Sequence, residues 1–68
     1  MERTEHAFAR AFSGDAGRVV LGHLRKMTID RTLGPNASDS ELRWAEAQRA
    51  LVHQIETLVL RGRENAKT

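Results

Sequence analysis

The sequence predicts an all-α fold in which two short helices pack on one long C-terminal helix. Three observations predict it. Apolar residues recur at helical spacing in three separate segments, up to residue 12, over 16–28 and over 38–60. Turn-forming residues divide those segments at Ser13-Gly14 and within IDRTLGPNA. The last segment, SDSELRWAEAQRALVHQIETLVL, holds neither glycine nor proline. As a helix it would span roughly 33 Å at about 1.5 Å per residue, a spine for so short a chain.

The first helix rests on Phe8 and Phe12, four residues apart, with Ala7, Ala9 and Ala11 around them. Thr4 or Glu5 marks its start and Ser13-Gly14 its end. Asp15 is the expected N-cap of a second helix from Ala16 to about Thr28, striped with Val20, Leu21, Leu24 and Met27. Gly17 and Gly22 lie inside it, each costing about 1 kcal/mol relative to alanine. Gly22 has no capping role and is expected either to allow close helix approach or to weaken the helix. Gly34-Pro35-Asn36 marks a turn, and Ile29 and Leu33 are expected to tuck under the edge of the core.

Ser38 opens the spine. It stands three residues before Glu41 in a capping box, and Asp39 and Glu41 suit the positive end of the helix dipole. Trp44, Leu51, Ile55 and Leu58 mark one face, which Val52 and Val59 widen. Gly62 is expected to close the helix in a left-handed C′ conformation. A single helical domain over 1–60 would thus be followed by a polar tail, 61–68, that frays. The expected core is Phe8, Phe12, Val20, Leu21, Leu24, Met27, Leu51, Ile55 and Leu58.

A chain of 68 residues buries only about 60% of the surface its unfolded form exposes, so it is marginal alone. It has no cysteine, which removes disulfides and thiolate metal sites and leaves a partner or self-association as the expected support. The net charge of +2, from 11 basic and 9 acidic residues, is nearly balanced, whereas dedicated nucleic-acid binders show a clustered excess. The charge is uneven along the chain: zero over 1–14, +2 over 15–33, −2 over 34–60 and +2 over 61–68. Part of that balance is expected to be met inside the molecule. No apolar run is long enough for a membrane span, and the N-terminus lacks the apolar core of a secretory signal. Synthesis in the cytoplasm is the expectation.

The chemistry expected of the chain is non-enzymatic. His6, His23 and His53 are not spaced as metal ligands, no nucleophile or phosphate-binding motif is present, and the carboxylates are scattered. Neither a catalytic residue, a cofactor nor a metal site is expected. Gln48 and Arg49 interrupt the apolar spine and must find hydrogen-bond partners. The simpler expectation pairs them with backbone carbonyls of the Gly34-Pro35-Asn36 loop; the other sends Arg49 to an acidic group on another subunit.

Two segments carry a resemblance. FARAFSGDAGRVVLGHLRKMT and WAEAQRALVHQIETLV, with the polar loop between them, resemble small conserved proteins encoded in the structural-gene modules of tailed phages and prophages. In the second segment, Glu46-Ala47-Gln48-Arg49 stands where the family pattern has Glu-Gly-Gln-Arg, so Ala47 departs from it by one small residue. The resemblance covers most of residues 7–60. It implies the company of capsid, portal and packaging proteins rather than a defined activity.

The expected function is therefore protein–protein binding in a phage-like particle or its assembly, to larger structural proteins or to further copies of the chain. Trp44, Arg49 and Phe8 are the candidate partner contacts, tryptophan being enriched among interface hot spots. The rival is a small nucleic-acid-binding helical module, with Arg18, Arg25 and Lys26 facing phosphate or an acidic partner. Weak binding at most is expected there, because the loop after the second helix is longer than a helix-turn-helix turn.

Overall fold

The computed structural model describes residues 2–66. Three helices account for most of them: α1 (Thr4–Ser13), α2 (Asp15–Thr28) and α3 (Asp39–Ala66). The architecture is the expected one, two short helices on one long one. It is drawn out, 47 Å along its long axis, because α3 is about 42 Å of continuous helix at the standard rise.

The local signals act as the sequence predicts. α1 begins at Thr4 and ends where the Ser13 hydroxyl donates back to the Ala9 carbonyl. A single extended residue, Gly14, joins it to α2 and serves as the N-cap, one residue earlier than expected. The turn at Gly34-Pro35-Asn36 closes with the Ala37 N–H donating to the Gly34 carbonyl at 3.1 Å, proline at its second position holding φ. The Glu41 N–H donates to the Ser38 Oγ at 3.1 Å, which satisfies one orphan donor at the start of α3. Ile29 and Leu33 are half-buried, as expected.

Two features differ from expectation, and they share a cause. α3 does not stop at Gly62; it passes the boundary placed after residue 60 and continues through 61–66. Gly62 is buried where α1 crosses α3. A Cβ there would collide with the Glu5 carbonyl oxygen and come within 2.6 Å of the Ala9 Cβ. The glycine is a close-approach residue and not a cap. The added helical turn is held by α1 itself: Asn65 Nδ2 donates to the Glu5 carboxylate at 3.2 Å and Arg63 Nε to the Ser13 Oγ at 3.3 Å. Lys67 and Thr68 of the expected tail lie outside the described residues.

The inward face of α3 is turned by one residue from the predicted one. Among the described residues, Ala9, Val52 and Val59 are the buried apolar side chains, 8%, 4% and 3% exposed, and no large side chain is fully buried. Val52 and Val59 are the centre of the face rather than its margin. Among the expected core residues, Phe8, Phe12, Leu21, Leu24, Ile55 and Leu58 are half-buried, whereas Val20, Met27 and Leu51 are exposed. The physical reason is closeness. The row of small residues lets α1 and α2 approach the spine, and the bulkier row beside it is left outward. The same holds at the α1–α2 corner, where a Cβ on Gly17 would collide with the Ala11 carbonyl oxygen and come within 2.6 Å of the Phe12 Cα. Gly22, by contrast, has open space around it and provides no close approach.

α2 runs antiparallel to α3. Arg25 reaches Glu56 at 2.7 Å, and Arg49 reaches back to the end of α2. Part of the charge balance between the basic second helix and the acidic spine is thus met internally. At this exposure such a pair contributes about 0–1 kcal/mol.

Candidate interaction surface

Arg49 is committed to the fold. Its Nε donates to the Thr28 carbonyl at 3.2 Å, one terminal nitrogen to the Arg31 carbonyl at 2.6 Å and the other to the Glu46 carboxylate at 2.7 Å. The pairing with backbone carbonyls is as expected, but the acceptors are the end of α2 and the first part of the connection, not Gly34-Pro35-Asn36. A guanidinium suits this place because the last carbonyls of a helix lack partners and carry the negative end of its dipole. Its planar fork serves two backbone oxygens and a carboxylate at once. Gln48 is half-buried nearby.

Trp44 lies early in α3 with 62% of its surface exposed. Beside it Met27 and Leu33 complete a notch of ≈ 70 Å³ with Ala45 and Gln48, its lining finished by Thr28 and the charged Arg31 and Glu41. Small-molecule sites usually measure several hundred Å³, so the notch is of the size to receive one side chain. Phe8 is half-buried and stacks on Phe12, ring centroids 6.4 Å apart and planes at 25°. These two rings with Ala7 and Ala11 line a shallow apolar hollow on α1.

The basic candidates do not form one set. Arg18 and Lys26 are exposed on α2, while Arg25 is drawn to Glu56 at 2.7 Å and lies 3.8 Å from Asp30. Among the described residues, no group of three or more His, Cys, Asp or Glu is placed to hold a metal ion, and no helix is long and apolar enough to cross a membrane. The His6 Nε2 is shielded and has no hydrogen-bond partner among the described residues.

Sequence reasoning missed the outward placement of Val20, Met27 and Leu51. Their spacing carried no signal of it, since the inward Val52 and Val59 stand seven residues apart as well.

Fold and surface together define a small all-α protein with several large apolar side chains exposed on a slender helical frame. It is a phage protein. The model of the family described as Bbp19-like phage protein matches residues 8–66, and the chain belongs to that family. No curated protein and no solved structure matches it.

Proposed function

We propose that the protein is a non-enzymatic component of a phage-like particle or of its assembly pathway, acting by binding other proteins. The observation that carries this reading is uncovered surface. A folded chain of 7.6 kDa is expected to expose about 4,300 Å², and this one exposes 5392 Å². Its radius of gyration is 14.5 Å, against about 11 Å for a compact chain of its length. Large apolar side chains are exposed on that surface, among them Trp44 at 62%, a side-chain type enriched at interface hot spots. Membership of a phage family supports capsid, portal or packaging proteins as the larger neighbours, with synthesis in the cytoplasm before incorporation in or on the particle. Trp44 and Phe8 are the contacts to expect; Arg49 contributes by holding the α2 end beside Trp44.

The test has two parts. Purified particles are searched for the chain, and individual capsid, portal and packaging proteins are titrated against it. Binding should shift the fluorescence of Trp44, the single tryptophan, and raise the melting temperature by mass action. Absence from particles together with no response to any of these proteins refutes the reading. Duplex DNA at near-physiological salt is the contrasting ligand. Tight, sequence-dependent binding, steeply weakened by salt, would assign the work to Arg18 and Lys26 instead.

A further inference from the structure

The three helices are not held equally. α1 meets α3 where Ala9 and Gly62 pack, both buried, and Asn65 and Arg63 tie the end of α3 to Glu5 and Ser13. α2 has no buried residue. Gly17, Leu21, Leu24 and Thr28 are half-buried and the rest of the helix is exposed. Gly17 seats the start of α2 against Ala11 and Phe12 of α1. The remainder, 18–28, holds a second glycine, Gly22, which lowers its helix propensity and provides no packing in return.

Polar contacts make up part of the deficit. Arg25 pairs with Glu56 across the two helices, but their side chains are 45% and 28% exposed, and a pair so solvated contributes little. The stronger hold is Arg49, which binds the Thr28 and Arg31 carbonyls together. Arg49 and Glu56 flank Val52 on one face of α3, and Val52 is 4% exposed. A segment with little buried apolar surface and solvent-exposed contacts opens at lower free energy than the whole molecule.

We propose that residues 18–28 form an arm that lifts off α3 while α1 and α3 stay packed, with Arg49 as its latch. The pivots are the Gly17 corner at one end and the connection over 29–38 at the other. Opening uncovers Val52. It also takes apart the notch at Trp44, because Met27 and Thr28 line it from α2 and Trp44 and Gln48 from α3. The surface beside Trp44 is therefore assembled only while the arm is latched, so the arm regulates the candidate contact. That consequence rests on the protein-binding reading above; the opening itself does not.

The chain has no cysteine, so a single introduced thiol can report on each site. Val52→Cys places one between the two clasps. Val59→Cys places one a turn before Gly62, at a position 3% exposed. With a small thiol reagent and no denaturant, position 52 should react about tenfold or more faster than position 59. Its urea dependence should be shallower, because opening exposes less surface than unfolding. Adding Arg49→Met should speed reaction at 52 by about tenfold. Adding Gly62→Ala, which loosens the α1–α3 crossing, should speed reaction at 59 and leave the rate at 52 within about twofold. Equal rates at the two sites with one urea slope, or Gly62→Ala speeding both alike, overturn the proposal. Amide exchange of the unaltered chain decides the matter if a cysteine variant fails to fold: 18–28 should exchange ahead of the α1–α3 crossing, and equal protection overturns the proposal. Both measurements read the arm without any partner. An arm that stays shut leaves the particle role standing, and an arm that opens in a chain absent from particles and silent to capsid, portal and packaging proteins is kept while the role is refuted.

Discussion

Replacing Gly22 and Gly62 by alanine, one at a time, should move stability in opposite directions although both residues lie inside helices. In a helix interior with room for a methyl group, alanine is favoured over glycine by about 1 kcal/mol, mainly through backbone entropy. Gly22 has that room, so Gly22→Ala should stabilise by about 1 kcal/mol and raise the melting temperature by about 4–8 °C. At Gly62 the same gain is opposed by a collision. The new methyl would meet the Glu5 carbonyl and the Ala9 Cβ, the latter at 2.6 Å. Most of what it meets is backbone, which cannot rotate aside, so α1 must move as a body. That puts the cost at the upper end of ordinary overpacking, about 3 kcal/mol. The net loss is then about 2 kcal/mol, a fall of about 10 °C for a domain of this size. Thermal melts followed by far-UV circular dichroism at one fixed protein concentration measure both variants, the fixed concentration removing any mass-action difference. If Gly62→Ala melts at or above wild type, α1 does not cross α3 at Gly62, and the account of the helix running past that residue fails.

Two further predictions concern polar groups inside the fold. Arg49→Met keeps the aliphatic stem but leaves the Thr28 and Arg31 carbonyls without their donor. It should cost about 1–3 kcal/mol and speed amide exchange over residues 29–33, and Arg49→Lys should not restore the loss because a point charge cannot span both oxygens; a fully stable lysine variant would contradict this. His6→Leu removes a shielded Nε2 that has no partner among the described residues. It should stabilise by about 1 kcal/mol, read as a higher melting temperature, and a lower one would mean that the imidazole has a partner after all.

What the sequence determined by itself is the set of helices, how two of them begin and the turn between α2 and α3. These depend on interactions within three or four residues: the Ser38 hydroxyl with the Glu41 N–H, the Gly34 carbonyl with the Ala37 N–H, the Ser13 hydroxyl with the Ala9 carbonyl. A local interaction is legible because both of its partners are in the same short stretch of text. The family was legible too, as a resemblance carried by FARAFSGDAGRVVLGHLRKMT, the polar loop and WAEAQRALVHQIETLV. Only the tertiary structure decided which apolar row of α3 faces inward. Trp44, Leu51 and Leu58 lie one residue around the helix from Ala45, Val52 and Val59, and both rows have helical spacing. Hydrophobicity alone favours the bulkier row. Close packing favours the smaller one, because α1 packs tightly against the spine where Ala9 meets Gly62. The identity of Gly62 is likewise silent in the text, since the same residue can end a helix or let another helix cross it. Which of the two it does is set by α1, more than fifty residues away along the chain. Turning the small row inward leaves Trp44 and Leu51 facing out, so the candidate interface is a consequence of how the core packs.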